Sequence, residues 1–257
     1  MSTANLVALG TVTRREVSRI LRIWSQTLLP SAITMTLYFV IFGRLVGSRI
    51  GEIADGVQYI DYIVPGLIMM AVITNSYGNI SSSFFGSKFG RYVEEMLASP
   101  MPSWVILAGY VAGAVLRGLI VAAIVLAISL FFTRIHLYHP WVTFSTVLLT
   151  SVVFSLAGFV NAVYAKKFDD IALVPTFVLT PLTYLGGVFY SVDALASPWR
   201  EISHANPILY MVNAFRYGLL GISDIPMWTA YAVMLGFALV LGAIAMVLLE
   251  RGVGLRS

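Results

Sequence analysis

With 257 residues, 59% of them hydrophobic and only 11% charged, and a mean hydropathy of +0.88, the chain is too apolar to be a soluble domain. The absence of cysteine excludes a disulfide scaffold and a thiolate metal site, and His136, His139 and His204 are too scattered to suggest a metal centre. The net charge of +4 is modest and gives no reason to expect nucleic acid as a partner.

The opening residues, MSTANLVALGTVTRREVSRI, have no charged segment ahead of an apolar core, so no cleavable signal peptide is expected. Val17, Ile20, Leu21 and Trp24 then recur at i, i+3, i+4 and i+7, with Arg15, Ser18, Arg19 and Arg22 opposite. This pattern predicts an amphipathic helix over 12–24 lying in the membrane interface, unless it is a plain cytoplasmic extension of the first span.

A hydrocarbon core of ~30 Å needs ~20 apolar residues as a helix. Six stretches qualify, at 24–46, 61–86, 103–132, 141–165, 171–191 and 225–249, so both termini lie on one side. Placing them in the cytoplasm leaves ten basic residues inside (Arg14, Arg15, Arg19, Arg22, Lys88, Arg91, Lys166, Lys167, Arg251, Arg256) against five outside (Arg44, Arg49, Arg134, Arg200, Arg216). That excess obeys the positive-inside rule and predicts cytoplasmic termini.

The most polar cytoplasmic stretch is GSKFGRYVEEMLASPMPSW, between the second and third spans. Its core reads as a short helix, Phe89 to Ala98 within 87–100, stopped by Pro100 and Pro102. It is either a solvated loop or a lever that receives force, with Tyr92, Met96 and Leu97 as the docking edge. No G-x-x-x-x-G-K-[ST] sequence occurs, since GSKFG and GRLVGSRIG lack the lysine and the spacing. An ATP-driven role therefore requires the nucleotide to sit on another chain.

Within the third span, Arg117 has three open readings: snorkelling to the headgroups, an ion pair inside the bundle, or contact with an anionic substrate. The small residues Gly109, Gly113 and Ala114 suggest close helix packing. The fifth span holds Pro175 and Pro181, with Thr176, Thr180 and Thr183 available to satisfy the freed carbonyls and Gly186-Gly187 near its outer end. The apolar segment that follows, 202–215, is broken by Asn206-Pro207 and is too short to cross, which predicts re-entrant helices over 192–218. Tyr184, Phe189, Tyr190, Trp199, Tyr210 and Tyr217 crowd this outer region, as an aromatic belt or as the lining of a path.

The stretches PLTYLGGVFYSVDALASPWREISHANPILYMVNAFRYG and YVEEMLASPMP resemble the ABC-2 type transporter permeases along nearly the whole chain. The resemblance implies an all-α integral membrane protein, a single domain over 1–257 similar to the type V ABC exporters. Its expected parts are six transmembrane helices, an interfacial N-terminal helix, a cytoplasmic coupling helix and re-entrant helices between spans five and six. It also implies a homodimer in the lipid of a bacterial inner membrane, paired with two copies of a separate ABC ATPase. No cofactor is implied in this chain, and ATP and Mg belong to the partner. The coupling contact maps to Tyr92, Glu94, Glu95, Leu97 and Pro100. Candidates for the translocation path or gate are Arg117, Tyr184, Gly186, Gly187, Phe189, Tyr190, Asn206, Pro207 and Tyr210.

Two other classes compete. An ion-gradient transporter or channel commonly carries mid-membrane acids, whereas the twelve here (Glu16, Glu52, Asp55, Asp61, Glu94, Glu95, Asp169, Asp170, Asp193, Glu201, Asp224, Glu250) read as lying at span ends or in loops. A membrane-embedded enzyme would have to use His136 and His139.

Overall fold

The computed structural model describes residues 3–54, 56–135 and 137–254, which leaves His136, Asp55 and Arg256 outside the described residues. The helices in chain order are α1 (Thr3–Arg22), α2 (Trp24–Ile50), α3 (Tyr59–Phe89), α4 (Tyr92–Ala98), α5 (Ser103–Ser129), α6 (Pro140–Tyr164), α7 (Asp170–Tyr184), α8 (Trp199–His204), α9 (Pro207–Leu220) and α10 (Met227–Arg251). Five of them, α2, α3, α5, α6 and α10, are long and apolar enough to cross a membrane.

The expected spans at 24–46, 61–86, 103–132, 141–165 and 225–249 fall on these five helices. The stretch expected to span over 171–191 is different. Its helix, α7, ends at Tyr184 and gives only about 22 Å of rise. A π turn at Pro175–Leu179 interrupts it, because Pro181 has no amide to offer the preceding turn. Thr180 Oγ1 donates to the Pro175 carbonyl at 2.9 Å and Thr183 Oγ1 to that of Leu179 at 2.7 Å. The sequence reading assigned the threonines to the carbonyls that Pro175 and Pro181 free, those of Ile171 and Phe177; these two bonds go elsewhere, and the Ile171 carbonyl accepts instead from Asn161 Nδ2 at 3.3 Å. A similar π turn, Phe39–Val46, runs through α2.

The expectation of an all-α chain needs one correction. Between α2 and α3 lies an antiparallel hairpin of β1 (Glu52–Ala54) and β2 (Val57–Gln58). The Asp-Gly pair in the sequence at 55–56, a hairpin signal, was the sign of it.

The most polar of the spans, α3, is also the most buried. It carries Asn75, Ser76, Asn79 and Ser81–Ser83, side chains that lipid would leave unsatisfied, so α5, α6 and α9 surround it. Close approach is secured by small residues: a Cβ on Gly66 would meet the Val188 backbone at 2.6 Å, and one on Gly158 the Tyr77 carbonyl at 2.6 Å. Two apolar clusters result. One lies around the hairpin end of α3 with α9, and the other around its far end with α1, α4 and the last turns of α10.

Candidate functional site

At the far end of α3 the chain reverses through Gly90 and Arg91, whose φ of 62° is left-handed, into α4. The helix stops at Ser99, ahead of Pro100. Val93 is buried in the core and Met96 and Leu97 are half-buried against it, whereas Tyr92, Glu94, Glu95 and Pro100 are exposed. The docking edge expected from the sequence is thus corrected at one position: Val93 anchors the helix, and Tyr92 is free on the surface. A rigidly rooted helix that presents two carboxylates and a tyrosine suits contact with another protein.

Beside it, α1 packs along α5, with Val12 against Gly109 and Glu16 against Gly113. The buried face is Val12, Glu16 and Ile20, while Leu21 and Trp24 stay exposed. This corrects the apolar stripe read from the sequence. The glycines of α5 admit a side chain four residues along from each contact, and the nearby arginines make a carboxylate acceptable there.

Glu16 is only 1% exposed and sits in a polar network. Its Oε2 accepts from Ser83 Oγ at 2.7 Å and from Arg19 Nη2 at 3.1 Å, and its Oε1 accepts from Arg15 Nη2 at 3.3 Å. Arg19 also donates to Asn79 Oδ1 at 2.8 Å. Arg117 reaches that same oxygen at 3.5 Å, and donates to Asn75 Oδ1 at 2.9 Å and to the Thr27 carbonyl at 3.1 Å. Asn75 in turn donates to Ser31 Oγ at 2.9 Å. The network joins α1, α2, α3 and α5.

Arg117 is therefore held inside the bundle by neutral oxygens, which departs from both the snorkelling and the direct ion-pair readings. Glu16 likewise lies deeper than an acid at a span end. It pairs with two arginines, Arg15 and Arg19. Asn75, Asn79 and Ser83 were missed from the sequence although they recur every four residues along α3, which is a polar stripe in an uncharged span.

The other path candidates gather at the hairpin end. Asn206 is 2% exposed; its Oδ1 accepts from Ile208 N at 3.0 Å to cap α9, and its Nδ2 donates to the Leu182 carbonyl of α7. Pro207 takes the first helical position, where no amide is needed. Gly186 lies against Ile208, and Gly187 has a φ of 70°, so both serve the turn after α7. Phe189 stacks on Tyr184 and meets Tyr38 and Phe42 of α2 in tilted contacts, with Phe42–Phe189 at 4.7 Å, and the Tyr38 and Tyr184 hydroxyls lie 3.3 Å apart, a partnership the sequence did not reveal. Tyr190 Oη donates to the Tyr184 carbonyl at 3.0 Å and Tyr210 Oη to that of His204 at 2.8 Å. Trp199 is exposed, and Tyr217 stacks on His139 at 4.7 Å. His136, the other half of the enzyme reading, lies outside the described residues.

Arg216 requires a further correction, because the sequence reading counted it among the outside basic residues. It is 1% exposed on α9, its guanidinium 3.9 Å from the centre of the Tyr62 ring, with Nη2 donating to the Gly187 carbonyl at 2.7 Å. The hairpin-end knot is thus tied by Arg216 and Asn206. It contacts α3 at Gly66, nine residues or about 13 Å along the helix from Asn75, so the two groups of candidates are separate. Outside the spans, the backbone amides of Lys166 and Lys167 donate to Asp170 and hold its carboxyl below the ordinary aspartate pKa.

The fold and these sites define a multi-span helical membrane protein with a protruding charged helix at one end. Residues 7–220 match the family model for the ABC-2 type transporter, and the chain belongs to that family. It is 57% identical to the inner membrane transport permease YadH of Escherichia coli K12 over 98% of both chains, and equally to that of Shigella flexneri. It is also 23% identical to nodulation protein J of Rhizobium leguminosarum bv. viciae, over 72% of this chain and 71% of the relative.

Proposed function

We propose that the chain is the permease subunit of an ATP-driven exporter of the bacterial inner membrane, pairing as a homodimer with two copies of a separate ATPase. The observation that carries this reading is α4, an exposed acidic helix rooted by Val93 in the same core that holds α1 and the end of α10. ATP-driven closure of the partner would push on Glu94, Glu95, Tyr92 and Pro100, and the rigid root would pass the motion to α3 and α5. The α4 end carries Arg14, Arg15, Arg19, Arg22, Lys88, Arg91, Lys166, Lys167 and Arg251, whereas the opposite end carries Arg44, Arg49, Arg134 and Arg200. With Arg216 removed from the count, the imbalance still supports a cytoplasmic α4 end and cytoplasmic termini.

In this reading α7 and the turn after it complete a sixth crossing, and α8 and α9 are re-entrant, as in type V exporters. The apolar faces that α2 and α7 leave uncovered, including Ile33, Leu37, Leu173 and Phe177, suit a second copy. The substrate belongs to the drug, lipid or glycoconjugate classes that such exporters move. Reversing both charges of α4 (Glu94→Lys with Glu95→Lys) is expected to leave the chain folded and to weaken retention of the co-expressed ATPase about ten-fold or more, because it inverts the charge of the exposed face that the contact would use. Unchanged retention and unchanged ATP hydrolysis would remove α4 from the coupling path.

A further inference from the structure

Between α1 and the far end of α3 lies a cleft of about 540 Å³ lined by Arg15, Arg19, Arg22, Ser82, Ser87 and Tyr92, with Glu16 and Ser83 in its wall. Its charge is unbalanced. Arg15 and Arg19 both lean on the single carboxylate of Glu16, and Arg117, which shares the Asn79 oxygen with Arg19, is held by neutral oxygens alone. Arg19 Nε is buried and has no hydrogen-bond partner among the described residues. Arg22 makes no hydrogen bond or ion pair among them. Excess positive charge at the edge of a membrane domain is costly unless an anion compensates it.

The rim adds a second indication. Leu21 and Trp24, next to Arg22, are 57% and 55% exposed and offer an apolar flank beside the cationic cleft. That combination recognises a phosphate ester attached to acyl chains. We propose that this cleft binds the phosphate of an anionic phospholipid headgroup, seated between α1 and α4 against Arg15, Arg19 and Arg22. Tyr92 of α4 lines the same cleft, so the bound lipid touches α4 as well as α1. The proposal goes beyond the exporter reading, resting on it only for the side of the membrane, and its test needs no ATPase.

The full-length chain in neutral detergent is mixed with equal amounts of dioleoyl phosphatidylglycerol and dioleoyl phosphatidylcholine, and retained lipid is read by native mass spectrometry. Phosphatidylglycerol is expected to dominate. Arg22→Gln should lower the ratio of the two lipids about five-fold, the effect of one arginine near a headgroup. Arg251→Gln, a basic residue at the same end but outside the cleft, should leave the ratio unchanged. Equal retention of the two lipids by the wild type, or an equal loss in both variants, overturns the site. Displacement of phosphatidylglycerol by added inorganic phosphate would overturn the headgroup assignment in favour of a free anion, and resistance to it supports the lipid.

Discussion

Glu16→Gln is expected to release α1 from the bundle, raising amide exchange across Thr3–Arg22 roughly a hundred-fold while the centre of α3 stays protected. The substitution preserves volume and a hydrogen-bonding end, so packing against Gly113 survives. What is lost is the one carboxylate set among Arg15, Arg19 and, through Asn79, Arg117. Leaving Arg15 and Arg19, which are 47% and 30% exposed, without that counter-charge costs about 1–3 kcal/mol, more than a fully exposed ion pair contributes. A compensating Arg19→Gln in the same chain should recover part of the protection, since it removes one of the stranded charges. Exchange equal to wild type in the single variant would show that Val12 and Ile20 hold the helix without the network.

Arg216→Ala is the second substitution with a large expected effect, and comparison with Arg216→Met isolates its cause. The alanine variant loses the donor to the Gly187 carbonyl, the contact with the Tyr62 ring and the volume of a wholly buried side chain. Together these amount to about 3 kcal/mol, or a melting temperature lower by roughly 6–12 °C in detergent. Met refills the space and relieves the cost of a buried charge, so its loss should be less than half as large. Equal losses in the two variants would mean that the hydrogen bond and the ring contact dominate over packing.

Much of the fold was legible because its parts rest on one-dimensional signals. Uncharged stretches between Arg, Lys and Asp positioned the five long helices, and Pro100 and Pro102 fixed where α4 must stop. The prolines of the fifth apolar stretch marked where its helix would be irregular, at the π turn Pro175–Leu179. Less legible were the features created by packing between elements distant in sequence. Glu16 looked like an ordinary charge on a basic helix until Gly113, far along the chain, made room for it. Arg216 looked like the polar end of a short apolar segment, but the turn at Gly187 and the ring of Tyr62 convert that position into an interior one. The grouping of the candidates was likewise hidden. Arg117 belongs with Asn75 and Asn79 at mid-helix, whereas Asn206, Gly186 and Gly187 fasten the opposite end.

The central claim, that this chain is one half of a permease dimer worked from outside by a separate ATPase, is tested most directly by the mass of the purified assembly. The chain is co-expressed with a Walker-motif ATPase from its own genome, isolated through a tag on the chain alone, and weighed by light scattering with the detergent contribution subtracted. The account predicts two copies of each protein in one particle whose ATP hydrolysis depends on the permease. A chain that purifies without any ATPase, and that moves solute in vesicles under an ion gradient alone, would contradict it.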